Sequence, residues 1–150
     1  MIRPALTSDL TTLLALSRAM YAESGLKNLA FDEGKVWIEL FEKLNSDAFT
    51  MVYEKDGQII GMIGAMICKH IFSNDLMSMD YLVYVKPEHR GSAVFASMIQ
   101  EYIDWSKSQG VKPANIYIGV NAGVSTELTV KCYERLGFVR SGINLRYGGN

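Results

Sequence analysis

The sequence predicts an α/β protein with a mixed sheet and helices on both of its faces, in the order β-α-α-β-β-β-α-β-α-β. Three observations carry this. Apolar residues recur at three- and four-residue steps through Leu10, Leu13, Leu14, Ser17, Met20 and Tyr21, and again through Trp37, Leu40, Phe41 and Leu44, which marks two amphipathic helices. Asp56-Gly57 separates two apolar runs, a strong hairpin signal. In the second half, extended runs alternate with helical ones, as β-α-β crossovers require.

Taken in order, Ile2 to Leu6 reads as a first strand, and Thr7-Ser8-Asp9 offers an N-cap for the helix ending near Gly25. Asp32-Glu33 opens the second helix, with acidic residues against the positive end of its dipole. Phe49 to Glu54 and Gln58 to Ile67 form the hairpin. A further strand begins near Ser78 and stops at Pro87, which has no N–H for a sheet ladder. Phe95, Met98, Ile99, Tyr102 and Ser106 then mark a long helix that Gly110 to Pro113 ends. Asn115 to Val120 reads as a strand and Ser125 to Leu136 as a helix, with Gly137 as its left-handed C′ residue. Phe138 to Tyr147 supplies the last extended segment or hairpin.

Length and composition narrow the function classes. At 150 residues a single domain spanning 1–150 is expected, and a net charge of −1 argues against a generic nucleic-acid binder, so any basic site is local. Cys68 and Cys132 lie far apart among apolar neighbours, which favours reduced thiols over a disulfide framework or a metal site. The N-terminus lacks the apolar core of a signal peptide and no run reaches membrane-spanning length, so a cytoplasmic protein without a membrane partner is expected.

The chemistry concentrates where Tyr81 to Val85 runs into Lys86-Pro87-Glu88-His89-Arg90-Gly91-Ser92-Ala93. A helix that begins at a glycine-containing loop presents unpaired backbone N–H groups to an anion, and Arg90 and His89 add positive charge at the same spot. A dinucleotide fold would need a G-x-G-x-x-G, which is absent.

Three segments together resemble the GNAT superfamily of acyl-CoA N-acyltransferases over nearly the whole chain. IRPALTSD is similar to the family's first strand and helix start, Val85-Lys86-Pro87-Glu88-His89-Arg90-Gly91 to its V-x-P-E-x-R-G, and Tyr133-Glu134-Arg135-Leu136-Gly137-Phe138 to its Y-x-x-L-G-F. The resemblance implies a mostly antiparallel central sheet of about six to seven strands with about four helices. It also implies an acetyl-CoA-dependent N-acetyltransferase acting on a primary amine of a small molecule or protein, with acetyl-CoA as co-substrate, no metal, and a possible homodimer. The alternative is a non-catalytic domain of the same fold that binds acyl-CoA or a protein partner; a longer acyl group is a further variant.

By the same resemblance the pyrophosphate of acetyl-CoA lies on the amides of Arg90, Gly91, Ser92, Ala93, Val94 and Phe95, and the pantetheine runs along Val83, Tyr84 and Val85. An N–H near Tyr84 or Val85 would serve as oxyanion donor, and Asn121 would bond the pantetheine arm. Lys107 and Lys112 are either solvated or within reach of the 3′-phosphate. The family's loop usually reads R-x-x-G-x-G or R-x-x-G-x-A, so Ala93 and Phe95 stand where small residues are usual. Ala93 is tolerable in a first helical turn with negative φ, whereas Phe95 either turns inward as a core residue or narrows the groove.

Tyr133 is the candidate acid, because a phenol with a pKa near 10 is protonated at neutral pH and can return a proton to the departing thiolate. Deprotonating a lysine-like ammonium at pH 7 costs roughly 4.6 kcal/mol, so a base or water relay helps. Asp80 is the first choice for that base. Glu23 and Asp32 lie in the segment that borders the acceptor site in the family, and Tyr21 to Phe31, His70 to Asp75 and the tail through Tyr147 are its variable walls. Trp37, Phe41, Tyr102 and Trp105 follow helical spacing and read as core.

Overall fold

In chain order the elements of the computed structural model are β1 (Ile2–Pro4), α1 (Leu10–Glu23), α2 (Glu33–Leu44), β2 (Phe49–Lys55), β3 (Gln58–Lys69), β4 (Leu76–Val85), α3 (Ala93–Ser108), β5 (Ile116–Tyr117) and α4 (Thr126–Arg135). The structure describes residues 1–91 and 93–148. The strands lie in the sheet in their sequence order. The pairings from β1 to β4 are antiparallel, and β5 joins β4 in parallel after the α3 crossover.

Local chemistry sets the sheet's order. Asp56 and Gly57 take φ of 51° and 73°, the pair of positive values that a tight hairpin needs, so β2 and β3 pair directly. Strand side chains alternate between faces. Ile63, Ala65 and Val85 therefore meet Met98, Ile99 and Tyr102 of α3, while Val52, Met62 and Tyr84 meet Leu10, Leu13 and Leu14 of α1 and Leu40 of α2. The Tyr102 hydroxyl donates to Tyr117 O at 2.6 Å and fastens β5 to α3. At the other edge, Arg3 pairs with Asp9 and with Glu54, each at 2.7 Å, which locks β1, the turn before α1 and β2 together.

Most expected elements form, including the Asp32 cap, whose side chain accepts the Lys35 N–H at 2.9 Å, and Gly137 at φ 98° after α4. Three expectations are corrected. The described residues form five strands, fewer than six to seven: the 138–147 segment carries none, with Val139, Ile143, Leu145 and Tyr147 at least 84% exposed and no face to bury. The strand expected over 115–120 shrinks to Ile116–Tyr117, because the Gly119 N–H, two residues on, bonds the Asp80 side chain instead of a ladder. Trp37 and Phe41 are 40% and 46% exposed, because α2 presents only the edge at Leu40, Val36 and Leu44 to the sheet; Tyr102 is buried as expected, and Trp105 is half-buried. Cys68 and Cys132 are free thiols, and no helix among the described residues is long and apolar enough to cross a membrane.

Met98 is fully buried between α3 and the sheet. Met98→Ala is expected to cost about 2–5 kcal/mol by urea denaturation, the range for emptying a core site of that size. A change below about 0.5 kcal/mol would show that this face is not close-packed.

Candidate active site

The site begins at an irregularity in β4. Asp80 pairs with Ala65 and Leu82 with Gly64, so Tyr81 is an extra residue, a β-bulge. The pairing of β4 with β5 ends at Met79 and Tyr117, just before the bulge. From there β4 continues to Val85 with a free edge. Peptide groups alternate sides along a strand, and Lys86 N–H donates to Ile60 O of β3 at 2.9 Å. The peptide groups of Val85 and Val83 therefore face the gap left by β5.

Asp80 spans the mouth of that gap. Its Oδ1 accepts the Gly119 N–H at 2.6 Å. Burial pushes its carboxyl up to about 6, against the pull of that hydrogen bond. A Cβ at Gly119 would lie 2.9 Å from Asn121 Nδ2 and 3.5 Å from Asp80 Oδ1, so the Asn121 side chain would have to move aside to admit one. Asn121 thus folds over the same spot, exposed, with its Oδ1 accepting from Asn144 Nδ2 at 2.8 Å.

Tyr133 stands on α4 and is 4% exposed, its ring 5.2 Å from that of Phe95 and 5.7 Å from that of Phe138. Burial drives its phenol well above the ordinary tyrosine range, and the Asp80 charge adds to the effect, which sets the two groups in one electrostatic neighbourhood. Its hydroxyl has no hydrogen-bond partner among the described residues. Since no fully buried side-chain polar atom there lacks one, this hydroxyl touches accessible space.

At the end of β4 the chain turns through Pro87–His89 and reaches Gly91 at φ 78°, the left-handed region where a side chain is strained. α3 begins at Ala93, so the methyl of Ala93 lies in a first helical turn. Val94 is buried. Phe95 turns inward onto Tyr133 and the core, which removes the steric objection to a ligand at this loop. Ser92 lies outside the described residues. Arg90 Nε donates to Val85 O at 2.9 Å, and its Nη2 pairs with Glu23 at 2.7 Å. Glu23 also accepts from the Tyr84 hydroxyl at 2.6 Å. Burial would raise the Glu23 carboxyl, but the hydrogen bonds from Tyr84 and Arg90 outweigh it and hold the group below its usual value. Lys107 sits in the last turn of α3, about 24 Å from this loop for a 16-residue helix. Lys112 is paired with Asp75 at 2.9 Å.

On the opposite face of β4, a cavity of about 510 Å³ opens between α1, the loop to α2, α2 and the bulge. Tyr81 and Leu82 form its floor, with Met20, Leu29, Phe31 and Leu40 around them. The Tyr81 ring covers Gly64, where a Cβ would lie 2.2 Å from ring atoms, and its hydroxyl is 2.7 Å from Thr50 Oγ1. Of the acceptor segments expected from sequence, Tyr21 to Phe31 lines this cavity, whereas His70 to Asp75 does not. Sequence reasoning missed Tyr81 and Gly119: a bulge and a main-chain donor leave no residue-type signal.

The acetyltransferase (GNAT) family profile matches residues 14–138. No curated protein matches the sequence. Among solved structures, an aminoglycoside 6'-N-acetyltransferase from Acinetobacter haemolyticus is similar at 19% identity and TM-score 0.77, covering 100% of this chain and 98% of its own. AAC(6')-Iy in complex with the bisubstrate analogue CoA-S-monomethyl-acetylneamine gives 16% identity and TM-score 0.79, with 100% and 97% covered. A predicted acetyltransferase from Clostridium acetobutylicum, with acetyl-CoA, gives 16% and 0.76, with 99% and 95% covered. At these identities the likeness is one of fold.

Asp80 has a raised folded pKa, so its neutral form is the stabilised one; that contribution is complete below about pH 4 and is lost as pH rises through about 6. Asp80→Asn keeps an acceptor for Gly119 N–H without the charge. The variant is expected to exceed the parent in stability at pH 7 by on the order of 2–3 kcal/mol, with the gap closing toward pH 4. Parallel curves of denaturation free energy against pH would refute a buried charge here.

Proposed function

The chain belongs to the acetyltransferase (GNAT) family, and from that premise we propose that it transfers the acetyl group of acetyl-CoA to a primary amine by direct attack in a ternary complex. The observation that carries this reading is the free edge of β4 beyond the Tyr81 bulge. It opens between an anion-ready loop on one side and the apolar cavity on the other.

Acetyl-CoA supplies a thioester, whose carbonyl is the electrophile. The N–H groups of Gly91, before α3, and of Ala93 and Phe95 in its first turn beside Val94, are the donors for its pyrophosphate, helped by a helix dipole of roughly half a charge. Arg90 and Ser92 complete this loop in the proposal. The outward Val85 N–H and Val83 C=O match the amides of a pantetheine arm, Val85 O being held by Arg90, with Tyr84 between them holding Glu23 and Asn121 across the gap. The Val83 N–H, the outward donor nearer the bulge, faces the negative charge that develops on the carbonyl oxygen in this reading, in place of the Tyr84 or Val85 N–H expected from sequence.

Asp80, ionised at pH 7, takes a proton from the incoming ammonium, directly or through water. The nitrogen lone pair forms the new C–N bond as the C–S bond breaks, and the sulfur leaves with its electron pair. Tyr133 donates its hydroxyl proton toward that sulfur and regains one from the nitrogen or from solvent, so the sum is amide, thiol and one released proton. Its strongly raised pKa keeps the phenol protonated in the resting site, so the proton is in place when the thiolate forms.

Thiol release with acetyl-CoA and a panel of primary amines tests the reading, and no amine-dependent release from any of them would overturn it. Tyr133→Phe is expected to lower kcat about 100-fold, the lower end for loss of a positioned acid, with acetyl-CoA affinity unchanged. Unaltered turnover would remove Tyr133 from the chemistry. The profile of kcat/KM against pH should carry an acid limb near 6, and that limb should vanish in Asp80→Asn.

A further inference from the structure

The cavity on the α1/α2 face has a chemistry of its own. Its floor and walls are mostly apolar side chains, and the Tyr21 and Phe31 rings stand 5.2 Å apart as one aromatic wall. The cations nearest to it already occupy its aromatic faces. Arg18 lies 5.1 Å from the centre of the Phe31 ring, Lys27 4.5 Å from that of Tyr21 and Lys43 5.5 Å from that of Tyr81. Among the carboxylates at hand, Glu39 pairs with Lys35 at 2.9 Å and Glu33 with Arg18, while Asp32, whose Oδ1 caps α2, makes no ion pair among the described residues and is set against Lys43 and Lys27, which make none either.

Taking the acetyl-transfer reading above as its premise, we infer that the acceptor is a monoamine with an apolar, preferably aromatic, body, and that polycationic amines are disfavoured. One ammonium reaches past Tyr81 and Leu82 toward the free edge of β4, while the body lies against Leu29, Phe31 and Leu40. Each further ammonium on a ligand would enter an apolar wall with Lys43 in its lining and Lys27 beside it, and among the described residues Asp32 is the one lining carboxylate outside an ion pair, too few for a polycation. An unpaired charge in such a place is repelled and desolvated at once. The aminoglycoside-acetylating neighbours share this chain's fold, but the side chains around the cavity call for a different class of amine.

Calorimetric titration of the CoA-saturated protein with 2-phenylethylamine and with spermidine tests this without relying on turnover. 2-Phenylethylamine is expected to bind at least about tenfold more tightly. Leu29→Asp, at an exposed position in the cavity wall, is expected to weaken 2-phenylethylamine about tenfold and to narrow the ratio between the two amines. Equal or tighter spermidine binding, no 2-phenylethylamine binding, or an indifferent Leu29→Asp would each overturn the inference. A parallel thiol-release assay separates it from its premise. Tight 2-phenylethylamine binding without release upholds the cavity's preference and defeats acetyl transfer; release with spermidine alone upholds acetyl transfer and defeats the preference.

Discussion

One extra residue in β4 organises this molecule. With Tyr81 bulged out, β4 turns from β5 after only two ladder pairs, and the sheet opens at the point where α3 begins beyond it. Everything described at the site hangs on that departure. The peptide groups of Val83 and Val85 are outward because β5 no longer meets them. Asp80 is half-buried and holds Gly119 N–H because it bridges the parting strands at 2.6 Å. The Tyr81 side chain falls on the other face, over Gly64, and becomes the floor of a cavity. A bulge bends a strand and strengthens its twist, so a single local irregularity serves both faces of the sheet.

The two sides of the sheet divide the work by composition. Toward α3 and α4 lie Tyr102, Tyr133, Phe95 and Phe49, aromatic and closely packed. Toward α1 and α2 the packing is aliphatic and stops short, leaving the cavity. The loop from α1 to α2 is not left to wander over that opening. Gly25 N–H donates to Ala122 O at 2.8 Å, which attaches the cavity's rim to the segment carrying Asn121. The segment after β5 is therefore held by a main-chain contact from the cavity's rim and by a side-chain contact from Asn144.

Much of this was legible in the sequence, for reasons that can be named. Asp56-Gly57, Asp32 and Gly137 each impose a backbone conformation or a cap through local chemistry alone, so the elements they bound fall where the pattern put them. Tyr133 and Asp80 drew notice by residue type and position, and the fold sets them in one neighbourhood. What could not be read depends on long-range geometry. The bulge exists only by comparison of β4 with β3, and the Gly119 donor belongs to the main chain. Trp37 and Phe41 keep helical spacing, yet α2 turns only part of that stripe inward. Beyond Phe138, the apolar residues up to Tyr147 likewise meet no surface to cover. Periodicity states which face is apolar; the partner decides whether it is buried.

The Arg90 contacts have a thermodynamic consequence. Its guanidinium is not a spare charge, since Glu23 and Val85 O already hold it, and Tyr84 shares the same carboxylate. An anion arriving at the start of α3 gains from Arg90 only the difference between its own pairing and the one it displaces. Glu23 closes α1, next to the residues that rim the cavity, so whatever loosens that pair also loosens an edge of the opposite site. Linkage makes such a trade symmetric: if filling the loop changes affinity in the cavity, filling the cavity changes affinity at the loop by the same factor.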